Sequence, residues 1–262
     1  MTQPPTTAIR LRLDGAIGRI TLARPEKLNA LNRAALEELA LAAAWFDEQA
    51  AVKVVVLSGE GDAFSAGFDL TDPTWTELDP PNHSALVGRA MAEAVGTMRA
   101  ITVGSIRGHC IGGGVVLASA CDLRLASTTA AFRIPEVDLG VPLFWTGVPR
   151  LVRELGPALT KELVMTGRSF DAGEAHAVRF VNRVVPDDHL DSETDALAAE
   201  LAAKPARVLQ TTKTQVEEAA PSVPTSDTGT EADAAALAEA FADPECLNAA
   251  ATYAGRRRER RT

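Results

Sequence analysis

The stretch AIRLRLDGAIGRITLA alternates apolar residues with others on both sides of Asp14-Gly15. Period-two alternation marks half-buried strands and Asp-Gly marks a tight turn, so a β-hairpin is predicted near the N-terminus. Asn32 then precedes RAALEELALAAAWFDEQA. That Ala-, Leu- and Glu-rich run predicts a helix, with Asn32 capping its first turn. VKVVVLSG is a continuous β-branched run, as expected of a buried strand. After it come the Gly-rich turn EGDAFSAGFDL and the proline-rich TDPTWTELDPPNHS, which reads as a loop. A helix from about Ala85 to Arg99 and a strand at ITVGSIRG are predicted next. Three glycines, Gly112, Gly113 and Gly114, then open a second apolar helical run. DLRLAS predicts another strand, and AAFRIPEVDLG an extended segment punctuated by Pro135 and Gly140. From Trp145 onward the pattern becomes helical, with FVNRVV the one convincing strand and PSVPTSDTGT a polar linker.

Strand–helix units giving way to helices imply an α/β fold. A core over residues 1–200 and a helical C-terminal region over residues 201–262 are expected. Of the 262 residues, 46% are hydrophobic and 23% charged, which excludes a chain too polar to fold. The net charge of −9 supplies no basic surplus for neutralising phosphates, so nucleic acid is not an expected partner. The cysteines, Cys110, Cys121 and Cys246, show no metal-binding spacing, and no metal site is expected. Reduced thiols, no apolar signal core in MTQPPTTAIR and no run of membrane-spanning length point to a cytoplasmic protein without a membrane partner.

The chemistry concentrates between Gly108 and Gly140. Glycines at a helix start let backbone N–H groups reach a bound anion, and the helix dipole favours it. By itself such a triplet is as often a packing device. FSAGFDL is a second small-residue turn, and both turns follow apolar strands. If those strands are neighbours, the N–H groups of Ala66 and Gly113 can converge on one oxygen as it becomes negative. Glu136, a lone carboxylate in a weakly charged segment, follows about two short elements later as the candidate acid or base, with a salt bridge to Arg133 as its bland alternative. Asp138 is a rival base, because residues two apart in an extended segment face the same side. His109 and Cys110 adjoin, but neighbours on a strand point to opposite faces, which argues against a dyad.

RPEKLNALN, FSAGFDL, GHCIGGG with its helix ending in CD, and IPEVDLG resemble the motifs of the crotonase superfamily, the enoyl-CoA hydratase/isomerase family, in order and spacing. The resemblance runs from about Ile9 to Pro186 and takes in TGRSFDAGEAHAVRFVNRVVP. It implies a spiral of ββα units, a helical trimerisation region, a homotrimer or a dimer of trimers, and acyl thioester substrates. The substrate itself carries coenzyme A, so no separate cofactor is expected. The resemblance also implies that Ala66 and Gly113 hold the thioester oxygen as an enolate. Arg24, Lys27, Ala66, Phe68, Asp69, Leu70 and Gly113 would bind coenzyme A. On the last helix, Tyr253 and Arg256 resemble a further contact.

Hydratases of this family carry two glutamates, one two residues after the glycine triplet and one in the PE dipeptide. Here those positions hold Val116 and Glu136. A valine transfers no proton, whereas a single carboxylate suffices to carry a proton from C2 to C4 of a 3-enoyl thioester. The segment LGVPLFWTG, with Phe144 and Trp145, is similar to single-glutamate enoyl-CoA isomerases. Val116, Phe144 and Trp145 are therefore expected in the substrate pocket, although aromatics of this kind equally serve as core. Isomerisation is the expected reaction. Hydration, another enolate reaction or acyl-CoA binding without turnover are the alternatives. His83 and Trp75, in the proline-rich loop, are further candidates for lining an acyl pocket.

Overall fold

The computed structural model describes residues 2–74, 83–220 and 227–259. The predicted hairpin is β1 (Ile9–Asp14) and β2 (Ile17–Leu22), paired antiparallel, with Gly15 at φ +56° in the turn. Asn32 caps α1 (Arg33–Glu48), its side chain accepting the Ala35 N–H at 2.9 Å. β3 (Val54–Gly59) pairs parallel with β2 and with β4 (Ile101–Ile106), so the two strands that feed the candidate turns are neighbours. Between them α2 spans His83–Gly96, beginning and ending earlier than the sequence pattern predicts.

β5 (His109–Ile111) leads into α3 (Gly113–Ser119), and β6 (Leu123–Ser127) extends the main sheet beside β4. β7 (Ala131–Arg133) follows, and then a 3-10 turn over Glu136–Leu139. The helices α4 (Gly147–Leu155) and α5 (Pro157–Thr166) precede a short strand, β8 (Ser169–Asp171), which the sequence pattern does not reveal. The remaining elements are α6 (Ala172–Ala177), β9 (Arg183–Val185), α7 (Leu190–Ala202), α8 (Ala206–Ala219), α9 (Asp227–Ala242) and α10 (Pro244–Glu259). The expected linker over residues 221–230 thus gives way to α9 at Asp227, and its first six residues lie outside the described ones.

The main sheet has the order β1-β2-β3-β4-β6-β9, and a smaller one the order β5-β7-β8. Alternate residues of β3 explain why it reads as uniformly apolar. Val54 and Val56 face a cluster with Leu190, Leu197 and Ala198 of α7, while Val55 and Leu57 join the main core with Leu36, Leu39 and Phe46 of α1. A strand covered on both faces has no position to spare for a polar side chain. No helix among the described residues is long and apolar enough to cross a membrane, and no group of His, Cys, Asp and Glu side chains there could hold a metal ion.

Candidate active site

The two turns are stitched together by backbone. Phe64 N–H donates to Arg107 O at 2.8 Å, Ser65 N–H to His109 O at 2.9 Å, and Ile111 N–H to Ser65 O at 2.9 Å. The RPEKLNALN motif braces the first turn from below. The Asn29 side chain, fully buried, donates to Glu60 O and Ala63 O and accepts the Arg24 N–H. Arg24 donates to Asp69 Oδ2 at 2.8 Å and to Ala30 O at 2.5 Å. Asp69 is 5% exposed, and hydrogen bonds from Thr71 and Arg24 outweigh its burial and hold its carboxyl below the usual range. Both residues therefore lock the turn, while Lys27 and Leu70 are exposed.

Within that turn the expectation for Ala66 is corrected. Its N–H donates to Leu28 O at 2.8 Å and is committed to the fold. The Gly67 N–H goes to Ser65 Oγ at 3.1 Å. Leu31 N–H donates to Gly67 O and Asp69 N–H to Leu31 O, a parallel bridge centred on Phe68. In such a bridge the central residue's own N–H points away from the partner strand. Gly67, at φ +83°, abuts the second turn, since a Cβ there would sit 3.3 Å from the Gly113 nitrogen and 2.6 Å from Ile111 O. The sequence motif does not reveal which of three successive N–H groups the fold engages, because that depends on where Leu28 and Leu31 lie.

Gly113 lies two residues past the end of β5. It is the first residue of α3, where an N–H has no acceptor within the helix, and it donates to no group among the described residues. Gly113, Phe68, Glu136, Leu143, Phe144 and Trp145 line one cavity. Gly112, at φ +50° and ψ −115°, has a backbone conformation that L side chains rarely adopt, and a Cβ on it would overlap Glu136 Oε1. The glycine thus makes room for the carboxylate.

Glu136 is 9% exposed, and its Oε2 has no hydrogen-bond partner among the described residues. Burial pushes its carboxyl up from 4.5 to about 7, against weaker opposing effects of a backbone hydrogen bond and the Arg133 charge. Arg133 itself is occupied elsewhere, donating to Asp138 Oδ2 at 2.5 Å and to Gly167 O at 2.7 Å. The bland alternative of a Glu136–Arg133 salt bridge therefore does not occur. Asp138 is also corrected as a rival base. The segment is a 3-10 turn, not extended chain, so residues two apart diverge, and Asp138 turns to Arg133.

Trp145 is buried at 2% exposure, and its indole lies against Gly88 and Gly113, where a Cβ on either glycine would overlap it. Phe68 meets it edge-on at 6.1 Å between ring centroids. Trp145 and Phe144 are thus wall and core at once. Val116 is not: it is fully buried, does not line the cavity, and faces Gly147, with Cγ2 2.9 Å from where a Cβ there would lie. Its expected place in the pocket is corrected, the start of α4 having closed over it. His109 is exposed and Cys110 buried on β5, which removes the dyad. His83 opens α2, Trp75 and the side chain of Arg256 lie outside the described residues, and Tyr253 is half-buried on α10.

An anion cradle of backbone N–H groups beside one carboxyl that titrates near neutrality suits proton transfer at a carbon next to a carbonyl. Comparison with known proteins agrees with that chemistry. Residues 12–260 match the family model described as enoyl-CoA hydratase/isomerase. The chain is 35% identical over 214 residues, 80% of its length and 81% of the relative's, to "Probable enoyl-CoA hydratase" of Mycobacterium bovis. It is 30% identical to the short-chain-enoyl-CoA hydratase of Clostridium acetobutylicum, over 72% of each chain. Among solved structures it is similar to one from Thermobifida fusca YX, assigned as an enoyl-CoA hydratase and crystallised in complex with acetoacetyl-CoA. There the TM-score is 0.72 at 33% identity, covering 90% of this chain and 95% of the other. The chain is an enzyme of the enoyl-CoA hydratase/isomerase family, with the crotonase-type fold.

Proposed function

We propose that this enzyme binds acyl-CoA thioesters and moves a double bond from the 3,4 to the 2,3 position, with Glu136 as the only proton carrier. The observation that carries the reading is the buried Glu136 carboxyl, without a partner for Oε2 among the described residues and titrating near 7, beside Gly113 in one cavity. Glu136 as carboxylate removes the C2 proton, and the electron pair left behind spreads over C2–C4 and the thioester oxygen as a dienolate. The N–H groups of Gly113 and Phe68 hold that oxygen, Phe68 replacing Ala66 in this role. Glu136, now a carboxylic acid, returns the same proton at C4. No net proton is gained or lost, and no second acid is used. A carboxyl with both forms populated near neutrality can give as readily as it takes. The apolar wall of Leu143, Phe144 and Trp145 excludes water that would divert the intermediate.

Lys27, exposed next to the Leu28 carbonyl that bonds Ala66, is the residue we assign to the phosphates of coenzyme A, with Leu70 exposed on the joined turn. Arg24 and Asp69 would then support coenzyme A indirectly, through the turn they lock. A second reading, hydration of a 2-enoyl thioester, is favoured by the names of the relatives. The deciding experiment offers 3-enoyl-CoA and 2-enoyl-CoA in deuterated solvent and identifies products by mass and retention. Isomerisation gives 2-enoyl-CoA from the first substrate, with the hydrogen from C2 reaching C4 largely without solvent deuterium, as a single shielded carrier requires. Brisk hydration of crotonyl-CoA with no shift of a 3-enoyl double bond would overturn the proposal.

A further inference from the structure

The C-terminal helices touch the segment that carries the catalytic groups, at both of its ends. At one end, Gly140 closes the 3-10 turn of Glu136 at φ +68°, and a Cβ there would overlap Cys246 O at the start of α10. At the other end, Thr146 N–H donates to Asp233 Oδ2 of α9 at 3.4 Å. Leu237, one turn further along α9, is 1% exposed, so this face of the helix is packed against the body of the protein.

Thr146 is an unusual residue to find in such a place. It and Trp145 both have positive φ, +56° and +64°, and a β-branched residue adopts that conformation only when its surroundings impose it. Its hydroxyl donates to Trp145 O at 2.5 Å and accepts Arg150 Nε–H at 3.2 Å, and its carbonyl accepts the Arg150 N–H. Thr146 is 3% exposed, so its N–H must also find an acceptor inside the protein. Among the described residues only Asp233 supplies one. Two further ties hold the neighbouring indole: Trp145 Nε1–H donates to Ser84 O at 3.1 Å, and the ring is wedged between Gly88 and Gly113.

We infer that Asp233 is a positioning residue for the reaction: by accepting the Thr146 N–H it fixes the left-handed Trp145–Thr146 pair, and so holds the indole against the Gly113 oxyanion donor. This rests on the enolate reading of the site. Without Asp233 the buried N–H loses its acceptor, and the pair relaxes toward ordinary backbone conformations. The indole then leaves Gly113, water reaches the cradle and Glu136, and turnover suffers more than binding.

The test compares Asp233→Leu, which keeps the branched shape and removes the acceptor, with Asp233→Asn, whose amide oxygen can still accept. The expected result for Asp233→Leu is a fall in kcat of about tenfold with KM within about twofold, and amide exchange at Thr146 faster by about tenfold. Asp233→Asn should restore both to within about twofold of the parent protein. The inference fails if Asp233→Leu leaves either kcat or Thr146 exchange unchanged. It fails equally if Asn is as damaging as Leu, or if exchange quickens across α2 and α4 alike, which would signify general loosening. If the parent protein shifts no double bond, the functional reading falls by itself. Thr146 exchange, with C2 deuterium exchange of a saturated acyl-CoA in place of kcat, then decides the role of Asp233.

Discussion

Replacing Glu136 by Gln should abolish turnover and at the same time make the fold less sensitive to a rise in pH toward neutrality. In the folded protein this carboxyl holds its proton up to about pH 7, whereas the unfolded chain releases it near 4.5. Between those values the folded state binds more protons, so the stability of the parent protein falls as pH rises. At about 1.4 kcal/mol per pH unit, the full loss is about 3 kcal/mol, complete once pH exceeds the folded value. Glutamine cannot ionise and escapes that loss. Its amide, placed where Oε2 has no partner, adds a cost of about 1–3 kcal/mol that does not change with pH. The quantity to measure is therefore the difference in unfolding free energy between variant and parent, by urea titration at fixed protein concentration, from about pH 4 to about pH 8.5. Other titrating groups cancel in this difference. It should move in favour of Gln by about 3 kcal/mol, with most of the change between about pH 5 and 7. A difference that stays flat would refute the claim that burial holds the Glu136 proton.

The same titration should govern catalysis: kcat/KM for double-bond migration should rise with pH about a midpoint near 7, reaching only about a tenth of its plateau at about pH 6. Asp138→Asn, which leaves the Arg133 charge uncompensated, should move that midpoint to lower pH, and a midpoint moving upward would contradict the geometry. Gly112→Ala should cut kcat by about a hundredfold or more, since its Cβ takes the place of Glu136 Oε1; a crystal structure of the variant should show the carboxylate displaced. Val116→Glu should destabilise the protein by about 3 kcal/mol or more without raising hydration of crotonyl-CoA, because the position is sealed in the core; urea titration and a hydration assay check both halves.

Much of this architecture is legible in the sequence because it rests on local chemistry. Asp14-Gly15 turns the hairpin, Asn32 caps α1, and the β-branched run of β3 announces a strand buried on both faces. The adjacency of β3 and β4, needed for two turns to meet, was a correct conditional expectation. What the sequence conceals depends on contacts far along the chain. Ala66 was a reasonable oxyanion donor until Leu28 claimed its N–H. Asp138 rivals Glu136 only where the backbone is extended, and the 3-10 turn separates them. Val116 carried the information expected of it, the absence of a second carboxylate, but its location followed from Gly147 packing above it. The role of Asp233 lay beyond any motif, since it arises from a helix that begins more than eighty residues after Thr146.

The bridge between Ser65 and Cys110 has a consequence for the barrier itself. Because the first turn is hydrogen-bonded on both sides of Ser65 to the chain entering the second, the two turns form one rigid piece of backbone. In the proposed reaction, charge building on the thioester oxygen would meet dipoles already fixed in place, so little reorganisation of the protein would accompany the step. The entropy of aligning the donors is lost when the chain folds, not when the substrate reacts. On this reasoning the activation entropy of enolate formation should be close to zero. A substitution that breaks the Ser65 bridge should show itself there, as a temperature dependence of kcat altered out of proportion to any change in substrate affinity.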